Sequence, residues 1–443
     1  MGSVRSGRTT AEPRIVIEGG YPLTGEIAIS GSKNASLAVL AGTVLASEGV
    51  TTVRNLPRIA DIGVMAEILQ ALGCIVDFED EGRVARIDAT KLHSDQIPDA
   101  LASKMRASLH LLGPVLARRG RARIPQPGGC SIGARPIDLH LKGLTALHAD
   151  VDASIFAEAK EGGLIGAEIF LDKPSVGATM NIMMAAALAE GKTVIENAAQ
   201  EPDIEDLGSL MVAMGARVSG AGTGMITIHG VAKMHGADFT VSPDRIEAGS
   251  MALVAAVTGG DITLTNVNAE HMRPILMKIE EMGIVISEPR PGTIRLQHPG
   301  VALKATNVKA MPHPGFPTDL QQPVAVALCL AEGVSNITDT VYEGRFRYLS
   351  ELGRMGAKAE LLDGRTAVVH GVSHLIGADV EATDLRAGAA MVLAGLAATG
   401  TTRISNLVHI DRGYERLVEK LQLVGARIWR ENARGERVEG DLT

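Results

Sequence analysis

Three short stretches set reactive or cationic side chains beside glycine and proline. Gly31-Ser-Lys-Asn34 follows a strand-like stretch at 25–30 and opens a helix. The Lys33 ammonium and the free backbone N–H groups would therefore lie where an anion is favoured. The tetrapeptide lacks the glycine-to-lysine spacing of a nucleotide phosphate loop, so by itself it fits an anion site or a solvated turn. Residues 127–140, Pro-Gly-Gly-Cys-Ser-Ile-Gly-Ala-Arg-Pro-Ile-Asp-Leu-His, crowd Cys130, Arg135, Asp138 and His140 onto one loop. A thiol near guanidinium groups shifts toward thiolate, so Cys130 is open between a reactive and a structural reading, whereas Cys74 and Cys329 lie in apolar surroundings and read as structural. In Phe316-Pro-Thr-Asp319 a carboxylate precedes the apolar run 324–330, where it would serve as a helix N-cap. Gly220-Ala-Gly-Thr-Gly224 lies between two strand-like stretches with no helix after it, and reads as a hairpin rather than a dinucleotide loop.

The rest of the composition limits what that chemistry can be. Hydrophobic residues make up 46% of the 443 and charged residues 21%, an ordinary globular balance that excludes disorder and fibre. Aromatics are only 2%, too few for a base-stacking platform, and the net charge of −8 argues against a nucleic-acid partner. The cations must therefore act locally, on a small anion. Three distant cysteines without a CxxC, and no secretory segment, point to a reducing cytoplasm; no apolar run is long enough to span a membrane. No His, Cys, Asp or Glu cluster has metal-ligand spacing.

The elements that must position these groups repeat. Small-residue helices end near Gly49, Gly120, Gly191, Gly260, Gly333 and Gly400, about 70 residues apart, and each is followed by a β-branched strand closing on Asn55, Gln126, Asn197, Asn266, Asp339 or Asn406. A second amphipathic helix and a glycine turn complete each unit. Helices at 35–46, 180–189, 324–331 and 387–398 are apolar nearly all round and must be buried, which leaves the sheets facing outward. Six βαβαββ-type units grouped in threes give a two-domain α/β architecture; a solenoid is the competing arrangement, but its repeats are usually shorter. Residues 36–242 would form one domain and residues 15–35 with 243–443 the other, after a disordered leader at 1–14.

Within these repeats, GSKNA at 31–35, MRAS at 105–108, the 127–140 loop, SVGAT at 175–179, ENAAQEP at 196–202, PDRIEAG at 243–249, FPTD at 316–319, DLRA at 384–387 and HIDRGYER at 409–416 occur in order. The chain, from about residue 15 to residue 429, resembles the enolpyruvyl transferases that act on UDP-N-acetylglucosamine. That resemblance implies an inside-out α/β barrel of two threefold domains. It also implies transfer of the enolpyruvyl group of phosphoenolpyruvate to the sugar 3′-hydroxyl, through a tetrahedral intermediate, as the first committed step of peptidoglycan precursor synthesis. Lys33 and Asn34 match the phosphoenolpyruvate-binding pair, and Arg135 and Arg412 the arginines on its charges. Asp319 matches the carboxylate that contacts the 3′-hydroxyl, and Cys130 the loop cysteine assigned to proton donation or product release and to alkylation by fosfomycin. Arg106, Arg135, Pro136, Ile137, Asp138, Leu139, Lys173, Pro174, Ser175, Val176, Asp319 and Val341 match contacts to the UDP-sugar, and Arg345 and Arg386 are further cleft arginines. His140, His313 and His409 match positioning residues.

The resemblance implies no metal and no organic cofactor, and the substrates would be the only partners. Gly344, Arg347 and Tyr348 depart from the family pattern, which puts the contacts around Glu343 and Arg345 in question. They are the only support for an alternative, a paralogous enolpyruvyl transferase working on another nucleotide or nucleoside. Cations from both halves must meet one ligand, so the domains would close on it.

Overall fold

The computed structural model describes residues 12–128 and 136–438. Two apolar cores account for nearly all of its buried hydrophobic side chains. One draws on positions from Ala35 to Val241; the other combines Ile15 to Ile29 with Ile246 to Ile428. Each is built on three helices. Lys33–Gly42, Leu112–Arg119 and Val176–Ala186 fill the first; Arg245–Thr258, Gln321–Cys329 and Leu385–Ala397 fill the second. Every residue of Gln321–Cys329 is buried, and all of Leu385–Ala397 but its two end residues, as nearly uniformly apolar sequence demands.

Sheets wrap the helices. Three mixed sheets enclose the second core; two mixed sheets, an antiparallel three-stranded sheet and a short two-stranded parallel one enclose the first, and their strands alternate buried and more exposed residues, as in Asp261–Thr265. Within a unit the first two strands are parallel, joined through a buried helix, and the last two pair antiparallel; Val308–Ala310, Val334–Asp339, Lys358–Leu361 and Thr366–His370 show the pattern. Strands Arg217–Ser219 and Met225–His229 flank 220–224 as the expected hairpin. The N-terminal strand Arg14–Gly19 is central in its sheet, between Gly400–Ser405 and Arg427–Glu431, and it begins one residue inside the leader expected over 1–14.

Two departures refine the repeat. Helices Lys33–Gly42, Val176–Ala186, Gln321–Cys329 and Leu385–Ala397 start and stop earlier than their apolar runs suggest; the polar caps Ser32, Ser175 and Asp384 set the start of three of them, and Gln321–Cys329 continues directly from the turn Thr318–Leu320. Of the six scheduled glycines only Gly120, at φ 75°, caps a helix directly; in the fourth unit Gly259 does so instead of Gly260. The strand-closing asparagines have a clear role. Asn55, Asn197, Asn266 and Asn406 are left-handed, and their side-chain amides donate to the carbonyls of Val241, Leu171, Ile29 and Ala382 at 2.7–3.1 Å, tying the second strand of a unit to the end of the first.

The chain crosses between the cores twice. Strand Thr24–Ala28 pairs with Asp261–Thr265 in the second core, yet the next helix, Lys33–Gly42, belongs to the first; Asp238–Thr240 and Arg245–Thr258 make the reverse passage. The crossings touch. Ser32 N–H donates to the Ser242 carbonyl at 2.8 Å and Asp244 N–H to that of Ser30 at 2.9 Å. A Cβ on Gly31 would lie 1.6 Å from the Asn55 carbonyl oxygen, so only glycine passes here. No helix among the described residues is long and apolar enough to cross a membrane.

Candidate active site

Starts of buried helices supply most of the charged groups. Lys33 is the first residue of its helix, capped by Ser32, and its own N–H donates to Asp244 Oδ2 at 2.9 Å. Asp244 also caps Arg245–Thr258 through Oδ1, so one carboxylate joins two helix starts. The Lys33 ammonium is buried, 2.8 Å from Asp61 Oδ2. Asp61, in the first turn of Ala60–Leu72, also accepts from Arg412 Nε at 2.8 Å and Nη2 at 3.3 Å. This pair spans the two cores. Burial lowers the pKa of Lys33 from its usual value; Asp61 opposes that shift, and Arg386 and Arg412 add to it. Burial works to raise Asp61, but Lys33 and Arg412 outweigh it and hold the carboxyl below its ordinary range.

A second carboxylate is gripped the same way. Arg386, in the first turn of the Asp384-capped helix Leu385–Ala397, sets Nη2 3.1 Å and Nε 3.2 Å from Asp319 Oδ2. Its buried Nη1 has no hydrogen-bond partner among the described residues, and the guanidinium carbon lies 5.4 Å over the Tyr414 ring. Arg345 Nη2 is 2.7 Å from Asp319 Oδ1, and Arg345 Nη1 donates to Thr318 Oγ1 at 2.7 Å. Thr318 in turn donates to Asp339 Oδ2, while Asp339 Oδ1 accepts from Val341 N–H at 2.8 Å, which ties Val341 to this side of the cleft. Desolvation pushes Asp319 up, but Arg345 and Arg386 hold it well below the usual carboxylate range. Four cations thus meet two carboxylates, and the four lie on four separate segments. The surplus positive charge, the helix starts and the spare donor on Arg386 make a site for an anion with more than one charge.

A further group gathers residues matched to sugar-nucleotide contacts. Helix Val176–Ala186 begins at Ser175, whose hydroxyl accepts from Ala178 N–H. One turn in, Asn181 takes the Gly113 N–H on Oδ1 at 2.6 Å and offers Nδ2 to His140 Nδ1 at 3.0 Å. That contact assigns the imidazole hydrogen to Nε2. Burial, then the charges of His110 and Arg106, lower the His140 pKa to about 3, so the ring is neutral. It presses on Gly177, where a Cβ would be 2.9 Å from Cε1.

The other expected residues are placed as follows. Asn34, Pro136, Asp138 and Lys173 are exposed; Ile137, Pro174, Ser175 and Val176 are half-buried, and Leu139 is buried at the start of Asp138–Ala146. Cys130 and Arg135 lie outside the described residues. Asp319 is no helix cap: it belongs to the turn Thr318–Leu320, Leu320 precedes the helix, and the carboxylate faces arginines. Around the departures at 344–348, Arg345 holds Asp319, Glu343 pairs with Arg365, and Tyr348 is buried 6.4 Å from Phe346. Cys74 and Cys329 are buried thiols raised by burial to about 12. Sequence reasoning missed Asp61, Asn181 and Glu415. Glu415, almost fully buried, accepts from Arg58 at 3.1 Å and Arg83 at 2.9 Å, a second contact between the cores three residues after Arg412. A carboxylate in the strongly matched HIDRGYER run was the available signal.

Comparisons with known proteins bear on the fold and the family. The profile described as EPSP synthase (3-phosphoshikimate 1-carboxyvinyltransferase) matches residues 17–421. The chain is 47% identical over 422 residues to UDP-N-acetylglucosamine 1-carboxyvinyltransferase 1 of Staphylococcus epidermidis, covering 95% of this chain and 99% of that one. To the UDP-N-acetylglucosamine 1-carboxyvinyltransferase of a Nostoc species it is 47% identical over 419 residues, 94% of this chain and 93% of the relative. Among solved structures, the enolpyruvyl transferase NikO from Streptomyces tendae superposes with a TM-score of 0.85 at 26% identity, covering 95% and 99% of the two chains. An EPSP synthase from Acinetobacter baumannii reaches 0.73 at 19%, covering 95% and 100%, which speaks for the fold alone.

Proposed function

The chain belongs to the EPSP synthase family of enolpyruvyl transferases, and from that premise we propose that it moves the enolpyruvyl group of phosphoenolpyruvate onto the 3′-hydroxyl of UDP-N-acetylglucosamine, releasing phosphate. The observation that carries the reading is the convergence of Lys33, Arg345, Arg386 and Arg412 on two carboxylates, Asp61 and Asp319. Identity of 47% over nearly the whole chain to two relatives named for this substrate supports it over a paralogue acting on another nucleotide.

The chemistry follows from charge. The sugar oxygen bonds to C2 of phosphoenolpyruvate while the C3 methylene gains a proton; the C2–O bond to phosphate then breaks and C3 gives a proton back. Negative charge on the phosphate grows as that bond breaks, and preorganised cations stabilise it. Lys33 and Arg412 face the phosphoenolpyruvate charges, and Arg386 brings its spare Nη1. Asp319 is ionised throughout the neutral range, but two guanidiniums depress its basicity. As an arginine turns from Asp319 to the incoming anion, the carboxylate regains the basicity needed to take the 3′-hydroxyl proton. Cys130 supplies or guides the methylene proton. Asn34 and Arg135 complete the phosphoenolpyruvate site.

The UDP-sugar lies along Arg106, residues 135–139 and residues 173–176, with Val341 on the opposite side. The domain division at 36–242, and work in the cytoplasm on peptidoglycan precursors, belong to the same proposal. Phosphate release from phosphoenolpyruvate, with UDP-N-acetylglucosamine set against UDP-glucose, uridine and shikimate-3-phosphate, tests it. Preference for any of the last three overturns the substrate assignment.

A further inference from the structure

We propose that Asp61 is a positioning residue for this transfer, holding the Lys33 ammonium and the Arg412 guanidinium together as one cationic site for phosphoenolpyruvate; the inference rests on the function proposed above.

Asp61 is 3% exposed, and both its oxygens are engaged by groups that would face the substrate: Oδ2 by Lys33 at 2.8 Å, Oδ1 by Arg412 at 2.8 Å. Lys33 comes from the crossing between cores, Asp61 from the first core and Arg412 from the second. Among the described residues no strand pairing joins the segments of Lys33 and Arg412, and the buried Asp61 carboxylate contacts both.

The surroundings of Lys33 show why a carboxylate is needed there. Its ammonium is buried and lies within electrostatic reach of Arg386, on Leu385–Ala397, and Arg412, just after Val408–Asp411. Asp244, capping Arg245–Thr258, spends its oxygens on the N–H groups of Lys33, Ile246 and Glu247 rather than on Nζ. Asp203, on Pro202–Ala213, is turned to Ser32 Oγ at 3.2 Å. Among the described residues Asp61 alone meets Nζ with a carboxylate. Burial and two cations favour the neutral amine, and Asp61 opposes them. A neutral Lys33 cannot offset substrate charge. When phosphoenolpyruvate engages Arg412, Asp61 still keeps Lys33 charged.

The test is the pH dependence of kcat/KM for phosphoenolpyruvate, at saturating UDP-N-acetylglucosamine, in the wild type, Asp61→Asn and Asp61→Glu. Without the carboxylate Lys33 loses its proton at lower pH, so the alkaline limb of Asp61→Asn should move down by about 1–3 units, the usual effect of one close opposite charge. KM for phosphoenolpyruvate should rise at least tenfold, and KM for the sugar nucleotide should stay within about twofold. Asp61→Glu, with the charge on a longer arm, should show a raised KM and an alkaline limb within about half a unit of wild type. If Asp61→Asn does not fold, Asp61→Glu decides by the same two readings. An unmoved limb in Asp61→Asn, an equal shift in both variants, or an unchanged KM in Asp61→Glu overturns the assignment. A wild type that releases no phosphate overturns the proposed function instead.

Discussion

Replacing Asp319 by asparagine separates acid–base chemistry from shape. The carboxylate takes contacts of 2.7, 3.1 and 3.2 Å from Arg345 and Arg386, with 23% of its side chain exposed. Asparagine keeps the volume and one acceptor, and loses the charge and the ability to take a proton. Removing one partner of a fully buried ion pair costs about 3–5 kcal/mol, and the remaining amide and partial exposure bring the expected loss toward ~2 kcal/mol. The sign with pH is fixed. Asp319 has a folded-state pKa below that of an unfolded aspartate, so its contribution is present above pH ~4 and fades as pH falls further. Thermal melts of wild type and Asp319→Asn should therefore differ at pH 7 and converge in acid. Turnover should fall about 10²–10⁴-fold, the range of a general base, while UDP-N-acetylglucosamine binding by calorimetry stays within a few-fold. A variant turning over near the wild-type rate, or a stability gap that widens in acid, would refute this role.

Other outcomes follow from the same contacts. Gly177→Ala drives a methyl into the His140 ring, so KM for the sugar nucleotide should rise tenfold or more with KM for phosphoenolpyruvate little changed; equal effects on both would contradict the separation of the two groups. Cys130→Asp should retain activity with its pH profile moved to lower pH, and Cys130→Ala should be severely impaired. Fosfomycin should alkylate Cys130, faster once the sugar nucleotide is bound, whereas Cys74 and Cys329 are buried with thiols raised to about 12; peptide mass spectrometry finding the adduct on either of these would show the wrong loop was chosen. The domains should compact when the nucleotide enters, because cations from both cores must meet one ligand, and X-ray scattering with no change in radius would oppose this.

Much of the fold was legible because its cause is periodic. Buried helices must be apolar on every side, and the strand-closing Asn55, Asn197, Asn266 and Asn406 recur because each takes a left-handed turn and bonds a neighbouring strand. Helix starts were less legible. Lys33 and Arg386 lie upstream of the apolar runs, where Ser32 and Asp384 set the first turn. The cations were visible as motifs; their partners were not. Asp61 is one acidic residue in an amphipathic helix and Asn181 one polar residue in an apolar one, and only the approach of distant segments gives either a role. Asp319 shows the limit from the other direction: sequence placed it where a cap would serve, and tertiary contact with two arginines gave it another task.

The central claim is that phosphate leaves by breaking its bond to carbon, after the sugar 3′-oxygen has taken its place. Phosphoenolpyruvate carrying ¹⁸O in the C–O–P bridge, incubated with UDP-N-acetylglucosamine and the enzyme, reads this directly by mass spectrometry. The account predicts that the label appears in inorganic phosphate and that the nucleotide product carries an unlabelled enol ether at its 3′-position. Unlabelled phosphate with ¹⁸O in pyruvate would mean P–O cleavage, and would contradict the account.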